Sequence, residues 1–221
     1  HARFIGDLPA ALSQRLGLPV PFGNGSDFCA YAELPLYSDE KPNFLYVSLH
    51  HGVGAGVICN GNVLQLGCGH STELGHMTID YRGRPCPCGG RGCLEHYAST
   101  AALVRRFCEL SGAGADGADG RGVVRLYKEG NPAAVQAMEE HWNYLAHGIA
   151  SMINLFAPQR VVVGGGISEA GDFYLAKLRE GVRRQMMSVC GEDTELVAAR
   201  LGNRAGCMGA AGLVLDKMQG R

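Results

Sequence analysis

The amino-acid sequence predicts an α/β fold in which strands alternate with long amphipathic helices. Three observations lead to this prediction: short strands rich in β-branched and aromatic residues, glycine-rich turns after two of them, and a long helix that separates them. The chain has 221 residues, of which 46% are hydrophobic and 19% charged, a balance typical of a globular protein with a sizeable core.

The charge and cysteine content exclude several function classes. Lys and Arg number 20 and Asp and Glu 21, so this segment lacks the basic excess needed to bind nucleic acid through bulk electrostatics. Apolar runs stay well short of the ~20 residues of a membrane helix, and we expect no membrane partner. Nine cysteines are an odd number for a disulfide framework and indicate a reducing compartment, so we expect a cytoplasmic protein.

The first part of the chain is predicted to contain two helices and a hairpin. Leucines four residues apart predict a helix over 1–17, and a second helix is expected over 27–33 after an extended stretch. A strand over 43–49 precedes a hairpin with the dipeptide Asn60-Gly61, which is strongly favoured in type I′ turns. The arms of this hairpin are expected over 57–59 and 63–65.

The second part is dominated by one long helix. Asn131 is the predicted N-cap, Pro132 lies in the first turn, and apolar residues recur every three or four positions up to Pro158. The Gly-, Ala- and Asp-rich run over 111–122 is interpreted as a mobile surface loop. The remaining expected elements are a strand over 160–163, a glycine turn at 164–166, a helix over 172–187, a strand over 196–199 and a closing helix over 206–218.

The motif with the most information is a cluster of one histidine and three cysteines. His76 lies ten positions before Cys86, and the cysteines follow as C-x-C-x4-C with Cys88 and Cys93. Three thiolates and one imidazole are the composition of a closed structural Zn²⁺ site, which leaves no position for a catalytic water. The alternative is three free thiols on a loop, which would be prone to oxidation. The six other cysteines are expected to be small buried hydrophobes.

Two carboxylates accompany this motif. Glu73 and Glu95 lie next to the predicted metal ligands, and each could simply be a solvated surface residue. A metal would hold both near His76, and two carboxylates beside an imidazole are suited to hydrogen-bonding the vicinal hydroxyls of a sugar.

Residues 73–99 closely resemble the signature of the ROK family (repressors, open reading frames and kinases): E-x-G-H followed by C-x-C-G-x-x-G-C-x-E-x-x-x-S. The resemblance extends over nearly the whole chain and is nearest to regulators of the N-acetylglucosamine-repressor type. It implies the actin-like ATPase (ribonuclease H-like) fold, mainly its C-terminal lobe. It also implies a sugar site that includes Asn24, Glu73, His76 and Glu95. In the family, this histidine binds both the zinc and the sugar.

The chain departs from the family's kinases at the catalytic base. The family's kinases carry a Glu-Asn-Asp triplet whose Asp is the catalytic base. Counting forward from Pro19 and counting back from Glu33 both align this triplet with Gly23-Asn24-Gly25, so Gly25 replaces the catalytic Asp. Loss of a general base typically costs ~10²–10⁴ in rate. Asp27 lies two positions further on, in the following helix, and is not expected to substitute.

The phosphate-binding turn of the kinases is also altered. His50 and His51 occupy its first two positions, where bulky side chains replace Gly and Thr. Gly52 and Gly54 remain and are interpreted as parts of a tight hairpin. Gly164, Gly165 and Gly166 resemble the family's adenosine-side loop, but a glycine triplet after a strand is a weak nucleotide signal.

The resemblance also predicts the domain organisation. Residues 1–42 are expected to be a remnant of the N-terminal lobe and hinge, 43–205 the C-terminal lobe with its zinc loop at 73–99, and 206–221 a helix that returns to the N-terminal lobe. The family's D-x-G-x-T strand and its winged helix-turn-helix do not precede His1, so we expect a longer native polypeptide.

Three functions follow from these observations. We expect the sugar-sensing and oligomerising part of a ROK transcriptional regulator, with a sugar or sugar-phosphate effector, structural Zn²⁺, a homodimeric or homotetrameric assembly, and DNA bound through a domain outside this chain. The alternative is a sugar kinase of the glucokinase or N-acetylhexosamine kinase type, which would require ATP and Mg²⁺. The third is a degenerate scaffold that binds neither sugar nor DNA.

Overall fold

The computed structural model describes residues 8–37, 42–64, 72–112, 114, 118–166 and 170–219. Its strands are β1 (Phe44–Leu49), β2 (Val53–Cys59), β3 (Asn62–Val63), β4 (Arg160–Gly164) and β5 (Glu195–Ala198). They form a five-stranded sheet of order β3-β2-β1-β4-β5, in which β1, β4 and β5 are parallel and β2 is antiparallel to both of its neighbours. The predicted α/β class is confirmed.

Helices cover both faces of this sheet. They are α1 (Leu8–Leu16), α2 (Gly25–Glu33), α3 (Glu95–Ala98), α4 (Thr100–Ser111), α5 (Gly120–Lys128), α6 (Pro132–Phe156), α7 (Asp172–Gln185), α8 (Ser188–Gly191) and α9 (Ala205–Met218). On one face α2 and α9 pack together over a small core that includes Ala30, Tyr46 and Val162. On the other face the larger core surrounds α6, whose Met138 and Ile149 are fully buried. None of the helices in the described ranges is long and apolar enough to cross a membrane.

Two local predictions are confirmed by backbone geometry. Asn60 and Gly61 have φ angles of 50° and 76°, as a type I′ turn requires, and they join β2 to β3. The Asn131 side chain accepts a hydrogen bond from the Ala134 N–H and caps α6, which ends at Ala157 in the left-handed conformation.

Several expected boundaries need correction. The predicted loop over 111–122 is wrong at both ends, because α4 includes Ser111 and α5 begins at Gly120. Helices α3 and α4 were not expected, and α7 ends two residues before the predicted end. The leucines of α1 are exposed and cover no core in the described chain. Parts of the expected elements and domains lie outside the described residues, namely 1–7, 38–41, 65–71, 113, 115–117, 167–169 and 220–221.

The isolated cysteines follow the expected burial only in part. Cys29 is buried, and Cys108 and Cys190 are partly buried. Cys59 and Cys207 are exposed, which corrects the expectation for these two, while Cys68 lies outside the described residues.

Gly56 brings α2 against β2. A Cβ atom at this position would lie 2.6 Å from the Ser26 carbonyl oxygen and 2.9 Å from the Ala30 Cβ. The Ser26 carbonyl belongs to the backbone of α2 and cannot rotate away from an added Cβ as a side chain could. We therefore expect Gly56→Ala to lower the free energy of unfolding by about 1–3 kcal/mol. Chemical denaturation would measure this, with Gly114→Ala as control because no atom of the described residues lies within 4 Å of the added Cβ. Equal stability of both variants would contradict the close packing of α2 on β2.

Candidate functional site

The four predicted metal ligands come together. The ligand atoms of His76, Cys86, Cys88 and Cys93 all lie within 4.8 Å of one another. The His76 Nδ1 atom is 3.6 Å from the Cys86 Sγ, and the Cys88 Sγ is 3.7 Å from the Cys93 Sγ. Zn–S and Zn–N bonds of about 2.3 and 2.0 Å in a tetrahedron place ligand atoms roughly 3.5–3.8 Å apart, so this set fits zinc.

Glycines let the loop fold back on itself. The Cys86 N–H donates to the Gly90 carbonyl and the Gly89 N–H donates to the Cys86 carbonyl, which closes a tight turn between the sulfurs. Gly89 and Gly92 have φ angles of 98° and 66°, which favour glycine. A Cβ atom on Gly92 would also lie 1.6 Å from the Asp80 carbonyl oxygen, so this position excludes a side chain.

The thiols are electrostatically coupled. The Gly90 backbone N–H lowers the pKa of the exposed Cys88 thiol. Burial and the neighbouring Cys86 and Cys88 thiols raise the pKa of Cys93 to about 12. A divalent cation reverses this balance, because thiolates are its ligands and their charge is neutralised in place.

Glu95 and the segment before His76 meet at the start of β2. The Glu95 Oε2 atom accepts a hydrogen bond of 3.0 Å from the Val53 N–H. A Cβ atom on Gly75 would lie 2.1 Å from the Val53 carbonyl oxygen, so the chain just before His76 packs directly on the same residue. The His76 Nδ1 atom is the ring nitrogen that contacts the Cys86 sulfur, so Nε2 is not used in this contact.

Asn24 approaches the same end of β2 from α2. Its side-chain oxygen caps the helix by accepting a 2.8 Å hydrogen bond from the Ser26 N–H. Ser26 in turn packs against Gly54. A Cβ atom added to Gly54 would lie 2.2 Å from the Ser26 Oγ atom. Glu73 is exposed and directly precedes a short 3-10 helix, one turn long, that ends at His76. The sequence-predicted sugar residues are thus carried by segments that surround the first residues of β2.

Gly25, which the sequence comparison with the kinase triplet predicts to replace the base, opens α2. Within the described part of the chain, no heavy atom lies within 4 Å of an added Cβ there, so packing among these residues does not require glycine. Asp27 lies in the same first turn and is buried, with 7% of its surface exposed.

The remaining predicted nucleotide glycines have mixed roles. A Cβ atom on Gly164 would lie 1.9 Å from the Tyr46 hydroxyl, and one on Gly165 would lie 2.0 Å from the Leu49 carbonyl oxygen. These two glycines are therefore required by packing. The interpretation of Gly52 and Gly54 as parts of a hairpin agrees with the antiparallel pairing of β1 and β2.

Gly166 instead lines a cleft of about 730 Å³, together with His50 and His51. Helix α5 contributes three cations to this histidine cleft, Arg121, Arg125 and Lys128. Sequence reasoning missed them because α5 begins inside the run interpreted as a loop. The paired Val123 and Val124, both buried, are the signal that could have indicated a helix there.

The chain matches known proteins along almost its whole length. The sequence model of the ROK family matches residues 5–217. The xylose repressor of Bacillus subtilis (strain 168) is 31% identical over 211 residues, which cover 95% of this chain and 54% of the repressor. The chain therefore spans about half the length of that relative.

Two crystal structures are similar in fold. One is a ROK family glucokinase from Streptomyces griseus in complex with glucose and AMPPNP, with a TM-score of 0.84 and 31% identity over 93% of this chain and 71% of the glucokinase. The other is a ROK family transcriptional regulator, a homologue of the E. coli MLC protein, with a TM-score of 0.77 and 32% identity over 92% of this chain and 54% of the regulator. The expected actin-like ATPase fold is confirmed.

Proposed function

Because this chain belongs to the ROK family, we propose that it is the sugar-sensing and oligomerising part of a ROK transcriptional regulator. Both a repressor and a glucokinase are among its relatives, so membership alone does not decide between regulation and catalysis. The single observation that carries our choice is Gly25. A general base must reach the hydroxyl that it deprotonates, and glycine has no side chain with which to do so.

The surroundings of Gly25 support the same choice. The packing of the described residues leaves room for a side chain at this position, so steric need among them does not account for the glycine. Asp27 is buried in the first turn of α2, which argues against its reaching a bound sugar. His50 and His51 place two imidazoles at the turn where the kinases use Gly and Thr.

The sugar-binding and metal-binding elements are retained in this proposal. Asn24, Glu73, His76 and Glu95 would hold the hydroxyls of a sugar or sugar phosphate, and Cys86, Cys88 and Cys93 with His76 would hold a structural zinc. The zinc would hold the loop that carries His76 close to Glu95. The Glu95 carboxylate itself accepts a hydrogen bond from the Val53 N–H of β2.

Regulation would proceed by a population shift. A sugar that binds one arrangement of the lobes more tightly would change the geometry of DNA-binding domains attached outside this chain. Residues 1–42 would belong to the N-terminal lobe and hinge, 43–205 to the C-terminal lobe, and 206–221 would return to the N-terminal lobe. The assembly would be a cytoplasmic homodimer or homotetramer, in which the two lobes of each protomer respond together.

A sugar kinase is the second candidate, and the histidine cleft is the observation that favours it. The cleft is about 730 Å³ in volume and presents Arg121, Arg125 and Lys128, which suit the phosphates of Mg-ATP. In that case the sugar residues would keep their roles, and the transfer would have to proceed without an aspartate at position 25.

The sugar site can be tested by thermal melting of the whole protein. A hexose at 100 times its Kd is expected to stabilise the protein by ~2.7 kcal/mol. Glu73→Gln is expected to reduce the sugar-induced shift in Tm at least severalfold, because an exposed carboxylate that accepts sugar hydroxyls becomes an amide. Glu192→Gln, which alters another exposed carboxylate, serves as the control. If saturating sugars left Tm unchanged in the wild type, the scaffold alternative would be favoured.

A further inference from the structure

A second polar cleft has none of the predicted sugar residues in its lining. It has a volume of about 390 Å³ and is bounded by the zinc loop and by α3, α4 and α6. Its polar lining includes Arg84, His96, Arg105, Arg106, Glu140 and His141, and we refer to it as the arginine cleft. It shares no lining residue with the histidine cleft.

Three buried nitrogen atoms of this lining lack a hydrogen-bond partner within the described part of the chain: His96 Nε2, Arg105 Nε and His141 Nδ1. The Arg105 Nε atom is 3.8 Å from the Glu109 carboxylate, beyond hydrogen-bonding distance. Buried polar atoms in folded proteins are nearly always paired, so three orphaned nitrogens in one cleft indicate a missing acceptor.

His141 is neutral at the back of this cleft. Its Nε2 atom lies 2.7 Å from the Tyr174 hydroxyl, and burial lowers the pKa of the imidazole to about 4. Burial also raises the pKa of Tyr174, which keeps its proton. Where this hydroxyl donates to Nε2, the single ring proton lies on Nδ1, and an acceptor bound at Nδ1 would select this tautomer.

The charges of the cleft leave one guanidinium incompletely paired. The Arg84 Nη2 atom contacts both carboxylate oxygens of Glu109, and Arg106 forms a bidentate pair with Glu140 through Nε and Nη2. Arg105 donates through Nη2 to the His96 carbonyl oxygen, and its nearest counter-charge among the described residues is the more distant Glu109, which Arg84 and Arg106 also contact. Burial and the nearby Arg84 charge lower the pKa of Arg105, the result expected where a cation lacks a full counter-charge. Three guanidinium groups thus share two carboxylates.

We propose that the arginine cleft binds a small oxyanion, a carboxylate or a phosphate, between the zinc loop and α4. Arg84 and Arg105 are 43% and 39% exposed, so an incoming anion meets them first. The buried Arg105 Nε–H is a donor without an acceptor among the described residues, and the unpartnered ring nitrogens of His96 and His141 lie in the same lining, where their protonated tautomers would donate to the anion. The volume of the cleft suits an anion smaller than a nucleotide.

Calorimetric titration of the whole protein with inorganic phosphate, and separately with malonate, tests this proposal at constant ionic strength. We expect saturable binding of at least one of the two, weakened at least tenfold by Arg105→Gln and by Arg84→Gln. Arg84 is the more exposed of the two, so its variant keeps the test decisive if Arg105→Gln does not fold. Binding of phosphate alone or of malonate alone identifies the class of oxyanion.

A further arginine variant serves as the control. Arg184→Gln removes an equal charge from exposed α7, outside the arginine cleft. It is expected to bind the anion as tightly as the wild type does. Binding that is weakened equally in Arg184→Gln and in the two cleft variants, or that is undetectable for both anions, would overturn the proposal.

Discussion

Replacing Cys93 by serine is expected to strip the protein of one equivalent of zinc and to loosen the loop between His76 and Glu95. Cys93 is 1% exposed, and its sulfur lies 3.7 Å from that of Cys88, so serine cannot complete the ligand set. Because the binding free energy of structural zinc is largely folding free energy, we expect a loss of more than about 4 kcal/mol. For a chain of this size that corresponds to roughly 10 °C in Tm.

Metal analysis of the purified protein and thermal melting measure this effect. Cys59→Ser is the matched control, because Cys59 is an exposed cysteine in β2 outside the metal cluster. It is expected to keep both the zinc and the melting temperature. A wild-type protein without zinc, or a Cys93→Ser variant as stable as Cys59→Ser, would contradict the metal assignment.

Replacing Glu33 by alanine is the other change with a large expected effect. Glu33 is fully buried at the end of α2, and its Oε1 atom accepts 2.8 Å hydrogen bonds from the backbone N–H groups of Arg200 and Leu201. It thereby joins α2 to the connection between β5 and α9. Alanine removes the acceptor of both N–H groups and leaves a cavity where the fully buried carboxylate was, so we expect a loss of about 3–5 kcal/mol.

Denaturant unfolding of Glu33→Ala and Glu33→Gln separates the causes. The glutamine side chain has nearly the same shape and keeps an acceptor oxygen, so its cost is expected to be only about 1–2 kcal/mol. A loss below about 1 kcal/mol in Glu33→Ala would mean that these hydrogen bonds do not hold α2 in place.

The features that sequence reasoning predicted well are those encoded locally. The Asn60-Gly61 turn, the Asn131 cap and the C-x-C-x4-C cluster each depend on residues a few positions apart, and each has the expected geometry. Helix α4 had a comparable local signal that was overlooked, since Ser99 caps it and the buried Leu103 and Phe107 lie four residues apart.

The rest of the site depends on contacts between distant parts of the chain. The hydrogen bond of Glu95 with Val53 spans 42 residues, and that of Glu33 with Arg200 spans 167. Nothing in the local pattern distinguishes these two glutamates from solvated ones. The arginine cleft likewise forms only when α3, α4 and α6 pack together, so its residues have no common sequence signal.

The most direct test of the proposed function is a coupled assay of ADP release by the whole protein with Mg-ATP and a panel of hexoses and N-acetylated hexoses. Sugar binding is first confirmed by the shift in Tm. Our account predicts that a sugar which stabilises the protein produces no ADP above the sugar-free rate, since position 25 lacks a base. Sugar-dependent ADP release at rates typical of enzymes, about 1 s⁻¹ or more, would contradict it and identify a sugar kinase.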